Sequence, residues 1–175
     1  MIEGLEVRTC LSSDMPSIDT LYPDAFPDED LLPLVQDLLT LRSVTLSLVG
    51  IVDRTLAGHV VFTACSIAGT EQKISLLGPL AVAPAWQSKG IGSALVREGL
   101  QQVAHDGAVR ACVLGDPAYY GRFGFAPEAD IMPPYPLPTE WTGAWQSVSL
   151  HNTEPPPHGT LTVPEPWRQP ALWAP

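Results

Sequence analysis

Residues 76–95 read LLGPLAVAPAWQSKGIGSAL, which is an apolar strand, a short loop and the start of a helix that contains two glycines. The first turn of a helix has N–H groups without intrahelical partners and carries the positive end of the helix dipole. Glycine at positions 90 and 92 lets a diphosphate approach the backbone without meeting a Cβ atom. Lys89 and Arg97 add positive charge nearby. The stretch therefore predicts an anion-binding junction.

Two common phosphate-binding motifs differ from this junction in spacing. A P-loop needs a Lys-Ser or Lys-Thr pair after its last glycine, and none follows Gly92. A dinucleotide fingerprint needs G-x-G-x-x-G, but Leu95 occupies the third glycine position. The junction does match Q-x-x-G-x-G over residues 87–92, directly after the strand.

The sequence on either side of the junction predicts further strands and helices. Alternating apolar and polar residues predict a strand over 5–9, and Ser12, Ser13 and Asp14 supply N-cap oxygens for a following helix. Two more helices are predicted, at 34–39 and from about 90 to 106. The remaining strands are predicted at 45–52, 58–65, 73–82 and 111–114, the first two as an antiparallel hairpin and the last as a buried parallel neighbour.

Pro79 interrupts the predicted strand 73–82. A proline has no N–H to donate to a ladder, so within a central strand it is expected at a bulge. We expect this bulge to separate the strand from residues 111–114 and to open a cleft between them.

A second run, LGDPAYYGRFGF, lies at 114–125 and resembles the closing strand, the short tyrosine-bearing helix and the Gly-Phe ending of a known enzyme family. Together with LGPLAV at 77–82 and QSKGIG at 87–92, it resembles the GNAT superfamily of acetyl-CoA-dependent N-acetyltransferases, and within it a group of small bacterial enzymes. The resemblance extends from about residue 45 to 125. It implies an α/β (α+β) fold in which a mixed, mostly antiparallel central sheet is flanked by helices and is splayed between its fourth and fifth strands.

The resemblance also implies roles for particular residues. Backbone groups of Leu80 and Val82 would pair with the pantetheine arm of coenzyme A, and their side chains are expected in the core. Tyr120 would protonate the departing thiolate, since a phenol with a pKa of about 10 is protonated at neutral pH. Asp116 is expected to cap the short helix that follows it. Backbone amides would hold the pyrophosphate at Gln87, Ser88, Lys89, Gly90, Ile91 and Gly92.

Attack on a thioester needs a neutral amine, so some group must accept a proton. Some GNAT relatives use a glutamate on the strand before the loop, but residues 73–82 contain no acid. The candidates are His59, Glu71, Asp24 and Asp28. Each of them also has a simpler explanation as a structural or surface residue. For His59, which lies on an apolar strand, the structural role is favoured. No histidine or cysteine spacing suits a metal, so direct transfer without a metal or a covalent enzyme intermediate is predicted.

Composition restricts the partners and the location. The net charge of −10 argues against a nucleic-acid partner. Residues 1–40 hold nine acids against one base, a pattern that is explained either by solubility or by attraction of a cationic acceptor. No apolar run approaches a membrane span, and the N-terminus lacks the basic residues of a signal peptide. Three well-separated cysteines suit reduced thiols. We expect a cytoplasmic protein that acts on a small-molecule amine or a peptide amino group; a homodimer is left open.

The sequence changes in character after Phe125, because twelve of the nineteen prolines and four of the five tryptophans follow it. Long regular elements are not expected there, although 145–150 and 159–163 have the pattern of strands. So many aromatic residues argue against a free linker. We therefore expect one acetyltransferase domain over 1–175, with a core at about 5–125 on which residues 126–175 pack.

A second function is compatible with the same sequence features. A non-catalytic module that binds acyl-CoA and senses it would have the same fold, and the missing strand acid favours that alternative. Tyr120 argues against it, because binding alone does not need a proton donor.

Overall fold

A computed structural model of the chain describes residues 2–174. Over this range the chain forms nine strands: β1 Leu5–Thr9, β2 Thr45–Val52, β3 Thr55–Ile67, β4 Lys73–Val82, β5 Arg110–Leu114, β6 Ala126–Pro127, β7 Ile131–Met132, β8 Trp145–Ser149 and β9 Gly159–Thr162. The same range contains four α helices: α1 Met15–Ala25, α2 Leu32–Leu39, α3 Ile91–His105 and α4 Pro117–Tyr120. None of these helices is long and apolar enough to cross a bilayer.

The predicted mixed, mostly antiparallel sheet flanked by helices is confirmed. The hydrogen-bonded strand order is β1-β2-β3-β4-β5-β8-β6, and β9 pairs with both β3 and β7. Four of these pairs are antiparallel: β1 with β2, β3 with β9, β5 with β8 and β6 with β8. β5 runs parallel to β4, as the apolar sequence of β5 predicted. The two-residue strands β6 and β7 were not predicted, because such short segments leave no period to recognise.

The chain divides into two compact units, and β3, β4 and α3 each contribute residues to both. The first unit contains the residues up to Phe62 and Gly78–Gln101, and the second contains Thr63–Leu77 and the residues from Gln102 onward. That the whole chain is a single domain stays a prediction.

The first unit contains the β2–β3 hairpin and the helices α1 and α2. Asp53 and Arg54 form the hairpin turn with φ angles of 49° and 64°, the left-handed conformation that matches the twist of two-residue hairpins. α1 and α2 pack on the strands through one hydrophobic cluster. Its buried members are Ile18, Leu21, Tyr22, Val35, Val49 and Ala81.

Helix α3 packs on the strands of the first unit at glycine positions. A Cβ atom at Gly58 would lie 3.0 Å from Ile91 Cγ2, 3.0 Å from Leu95 Cδ1 and 3.2 Å from the Ala81 carbonyl oxygen. A Cβ atom at Gly99 would overlap the ring of Phe62, which is buried. Glycine therefore allows the helix to approach the sheet more closely than any other residue would.

The second unit is packed around tryptophans of the Pro- and Trp-rich segment. The Trp173 ring lies 5.7 Å from that of Trp145 and 5.9 Å from that of Trp167, and all three side chains are buried. Each indole N–H is satisfied: Trp145 donates to the Ile131 carbonyl, Trp167 to the Thr63 hydroxyl and Trp173 to the Trp167 carbonyl. The predicted strands β8 and β9 are both present, but they pair with other strands rather than with each other.

We predict that Gly99→Ala lowers the free energy of unfolding by about 1–2 kcal/mol. Alanine is the better helix former, by about 1 kcal/mol, but its methyl group would have to displace the buried ring of Phe62. Denaturant titration measures the change. The matched control is Gly143→Ala, because an added Cβ there meets nothing within 4 Å. If the two variants unfold at the same denaturant concentration, the close contact between Gly99 and the Phe62 ring is contradicted.

Candidate active site

The loop between β4 and α3 has an irregular backbone that ends at the first turn of the helix. After a single 3₁₀ turn at Pro84–Trp86, Ser88 has a φ of 62° and Gly90 a φ of 87°. The Ala94 N–H donates to the Gly90 carbonyl at 3.0 Å and begins the helical pattern. The N–H groups just before Ala94 have no intrahelical acceptor, as at every helix start. The loop thus presents backbone donors at the positive end of α3.

The surroundings of these donors suit an anion. Ser88, Lys89 and Gly90 are exposed, and the first turn of α3 carries no acidic residue. A Cβ atom built at Gly90 would meet nothing within 4 Å, so the space beside this residue is open. Ile91, by contrast, is buried and anchors the helix start to the strands.

Gln87 holds the loop to the end of β4. Its side-chain amide donates to the Val82 carbonyl at 3.0 Å, and its own N–H donates to the Pro84 carbonyl at 3.4 Å. Because that N–H is already used, Gln87 shapes the loop, and the donors available to a ligand begin at Ser88.

The C-terminal half of β4 lies beyond its pairing with β5. Registered pairs run from Ile74↔Arg110 to Leu77↔Val113, and the next residues form the cis Gly78–Pro79 bond. The registered pairs thus end just before Pro79, whereas the bulge expected at Pro79 stays a prediction. Leu80 and Val82 are half-buried, so the prediction that they belong to the core is wrong: this stretch extends past the residues that β5 covers.

Tyr120 lies in the second unit at the end of α4. Asp116 caps that helix as predicted, since its carboxylate accepts from the Ala118 N–H at 2.9 Å. A Cβ atom at Gly115 would lie 2.5 Å from Tyr120 Cε2, so the tyrosine ring rests against a glycine that no other residue could replace without moving it. The Tyr120 ring also contacts that of Phe125, with centroids 5.8 Å apart.

The environment of Tyr120 keeps its hydroxyl protonated. Burial is the main cause that raises the pKa of Tyr120 above its ordinary value, and the neighbouring Tyr119 adds to the rise. Tyr119 packs edge-on against Tyr120, with centroids 5.0 Å apart, and the Arg122 guanidinium lies 4.5 Å from the centre of the Tyr119 ring. Tyr119 is therefore a packing partner of Tyr120, and the raised pKa keeps the Tyr120 hydroxyl neutral.

His59 is a structural residue, as its apolar strand suggested. It is fully buried; its Nδ1 lies 2.7 Å from the Tyr22 hydroxyl and its Nε2 lies 2.7 Å from the Ser47 hydroxyl. Burial lowers the pKa of His59 to about 3, so the ring is neutral at physiological pH with both nitrogens engaged. The three remaining base candidates, Asp24, Asp28 and Glu71, are all exposed.

Two buried polar groups of the second unit were not recognised from the sequence. The amide of Gln146, which is fully buried, donates to the Gly115 carbonyl at 3.0 Å and so fixes the residue against which Tyr120 rests. Glu128 forms a 2.9 Å ion pair with Arg110 and accepts from the Ser147 hydroxyl at 2.5 Å. Burial alone would raise the pKa of Glu128, but these hydrogen bonds lower it. No local pattern marks either residue, because their partners are distant in sequence.

Comparison with known proteins identifies the family. The sequence profile of the Acetyltransferase (GNAT) family matches residues 14–125. The chain is 33% identical over 145 residues to the uncharacterized N-acetyltransferase YjhQ of Escherichia coli K12, covering 79% of this chain and 80% of the relative. Its fold is similar to the crystal structure of the Escherichia coli GNAT N-acetyltransferase YhbS in complex with CoA, with a TM-score of 0.84, 28% identity and coverage of 97% and 94%.

A second solved structure agrees with this assignment. A GNAT family acetyltransferase from Brucella melitensis, in complex with acetyl-CoA, has a TM-score of 0.75 and 30% identity and covers 93% of this chain and 97% of its own. The motifs at 77–82, 87–92 and 114–125 all fall within the range that the family profile matches. This chain is therefore an acyltransferase that belongs to the GNAT family of acetyltransferases.

Proposed function

We propose that this protein transfers an acetyl group from acetyl-CoA to a primary amine, on a small molecule or an exposed amino group, by direct attack on the thioester. The observation that carries the proposal is the loop before α3, where the exposed residues Ser88, Lys89 and Gly90 lie at the positive end of the helix and the space beside Gly90 is open. Two relatives of the same family were solved with CoA or acetyl-CoA, which is consistent with that use.

In the proposed complex the loop binds the pyrophosphate and β4 binds the pantetheine arm. The amides of Ser88, Lys89, Gly90, Ile91 and Gly92 donate to the diphosphate, while Gln87 keeps the loop in shape through Val82. The half-buried Leu80 and Val82 lie past the last β5 pair, where the backbone of β4 can pair with the arm as an added strand would. An N–H of the same strand, such as that of Leu80, would stabilise the thioester oxygen as it gains charge.

Tyr120 is proposed as the general acid. Collapse of the tetrahedral intermediate breaks the carbon–sulfur bond and releases a coenzyme A thiolate, whose conjugate acid resembles a cysteine thiol. The Tyr120 hydroxyl is protonated at neutral pH and can supply the proton.

The acceptor is proposed to be a cation. Asp28, Glu29 and Asp30 lie at a cavity of about 320 Å³ that is also lined by Phe26 and Leu31. An ammonium group would be attracted to the acids and to the aromatic wall. Asp28 is then the base candidate with the best position, because it borders the cavity in which the amine would lose its proton. A cytoplasmic location and the alternative of a homodimer stay predictions.

The alternative is a sensor that binds acyl-CoA without turnover, which the absence of an acid on β4 favours. Thiol release from acetyl-CoA, measured with a panel of polyamines, aminoglycosides, amino acids and peptides, separates the two functions. The enzyme proposal expects release that depends on an amine. Tight binding of coenzyme A with no release on any acceptor would support the sensor.

We predict that Gly90→Asp weakens coenzyme A binding by at least about tenfold, as measured by calorimetry. The new carboxylate would occupy the positive end of α3 and repel the diphosphate. The matched control is Gly90→Asn, since asparagine has nearly the same size and both residues tolerate the φ of 87° at this position. Equal affinities of the two variants would disprove the electrostatic role of the loop.

We predict that Tyr120→Phe lowers kcat by about 100-fold or more, because a positioned general acid contributes about 10²–10⁴-fold. Coenzyme A affinity should stay nearly unchanged, since the ring that rests against Gly115 is kept. Tyr119→Phe is the control, and its kcat should remain close to that of the parent protein. A fully active Tyr120→Phe enzyme would exclude the proposed acid.

A further inference from the structure

A second cavity of the first unit is not used by the proposed reaction. It has a volume of about 330 Å³ and lies between the end of β1, the start of α1, the end of α2 and the start of β2. None of the residues proposed to bind acetyl-CoA lines it. Its volume falls within the range of about 300–1,000 Å³ that small-molecule sites occupy.

The walls of this cavity are largely apolar. Leu11, Met15 and Leu39 line it, and Leu11 is one of the two large apolar side chains that are more than half exposed among the described residues, at 54%. The wall formed by Leu11 therefore exposes apolar surface to water, and a bound molecule would cover that surface.

The charge of the cavity is opposite to that of the surrounding sequence. Residues 1–40 contain nine acids and one base, yet the described lining contains no aspartate or glutamate, and Arg42 is its one guanidinium. Asp14, which directly precedes the lining residue Met15, is paired: it accepts two hydrogen bonds from Arg8, at 2.8 and 2.9 Å, and the bond from Arg8 is the largest cause that lowers the pKa of Asp14. Arg42 has no such carboxylate partner within the cavity lining.

A buried chain of hydrogen bonds directs a donor toward the cavity. Tyr22 is buried, and burial raises its pKa well above the ordinary value, so its hydroxyl keeps a proton that must find an acceptor. The acceptor within reach is His59 Nδ1, at 2.7 Å. We assign the tautomer accordingly: the neutral ring carries its proton on Nε2 and donates it to the Ser47 hydroxyl, at 2.7 Å.

Ser47 then has its own proton free to donate. Ser47 is 9% exposed and lines the cavity next to Cys10. The Cys10 N–H donates to the Ser47 carbonyl at 2.8 Å, so the two residues lie side by side at this wall. The inner end of the cavity thus has a hydrogen-bond donor whose orientation is set by His59.

From these observations we propose that the cavity binds a small molecule with an apolar body and one carboxylate. The carboxylate pairs with Arg42, the body covers Leu11, Met15 and Leu39, and Ser47 donates to an oxygen of the ligand or of a water beside it. Such a site does not depend on acetyl transfer, so it would be occupied with or without coenzyme A.

Cys10 provides the test in the unmodified protein. It is half-buried at the cavity wall, whereas Cys65 and Cys112 are 8% and 0% exposed, so N-ethylmaleimide should alkylate Cys10 first. Octanoate is the probe, and its neutral and cationic counterparts, octanamide and octylamine, are the controls. Octanoate should slow the alkylation of Cys10 in a saturable manner, and both controls should need concentrations at least about tenfold higher for equal protection. Equal protection by the three compounds, or none by octanoate, would overturn the proposal.

Three variants distinguish specific recognition of the carboxylate from unspecific binding of the ligand to an apolar surface. Arg42→Gln should remove the preference for octanoate over octanamide, while Arg54→Gln, in the exposed β2–β3 turn, should keep it. Ser12→Trp should fill the mouth of the cavity and abolish protection, with circular dichroism and coenzyme A affinity unchanged as checks on the fold. A preference that survives in Arg42→Gln would show that Arg42 does not bind the carboxylate.

Discussion

The close approach of α3 to the strands is the constraint on which the first unit depends. Because Gly58 has no side chain, Ile91 and Leu95 of α3 can pack directly on β3 at this residue. The Ala81 carbonyl of β4 packs against Gly58 as well. The first turn of α3 is therefore held beside the end of β4. Any larger residue at Gly58 or Gly99 would push the helix away and carry the proposed diphosphate donors with it.

Buried polar groups in this protein divide into those that are consumed by structure and those that remain available. His59 has both nitrogens engaged and Glu128 is held by Arg110 and Ser147, so neither is free to exchange protons with a substrate. Tyr120 differs, because ring contacts and Gly115 fix its position, and the interactions described for it leave its hydroxyl out. This contrast, more than the residue types, singles out the proposed acid.

The Pro- and Trp-rich segment lies outside the residues that the family profile matches, yet it completes the second unit. β8 pairs with β5, and its Gln146 holds the Gly115 carbonyl, so the segment supports the position of Tyr120 from behind. The structure of YhbS covers 97% of the chain, which includes most of this segment. The segment therefore belongs to the second compact unit, together with β5 and α4.

The sequence by itself determined the strands and helices up to residue 125, the parallel β4–β5 pair and the three family motifs, because these depend on local periodicity, turn chemistry and spacing. Only the tertiary structure decided the fate of side chains whose partners are distant in the chain. It showed that the Gln87 side chain holds its loop through a hydrogen bond to Val82, that His59 is buried and hydrogen-bonded to Tyr22 and Ser47, and that Leu80 is only half-buried. Burial and hydrogen bonding arise when separate segments meet, and no local pattern encodes them.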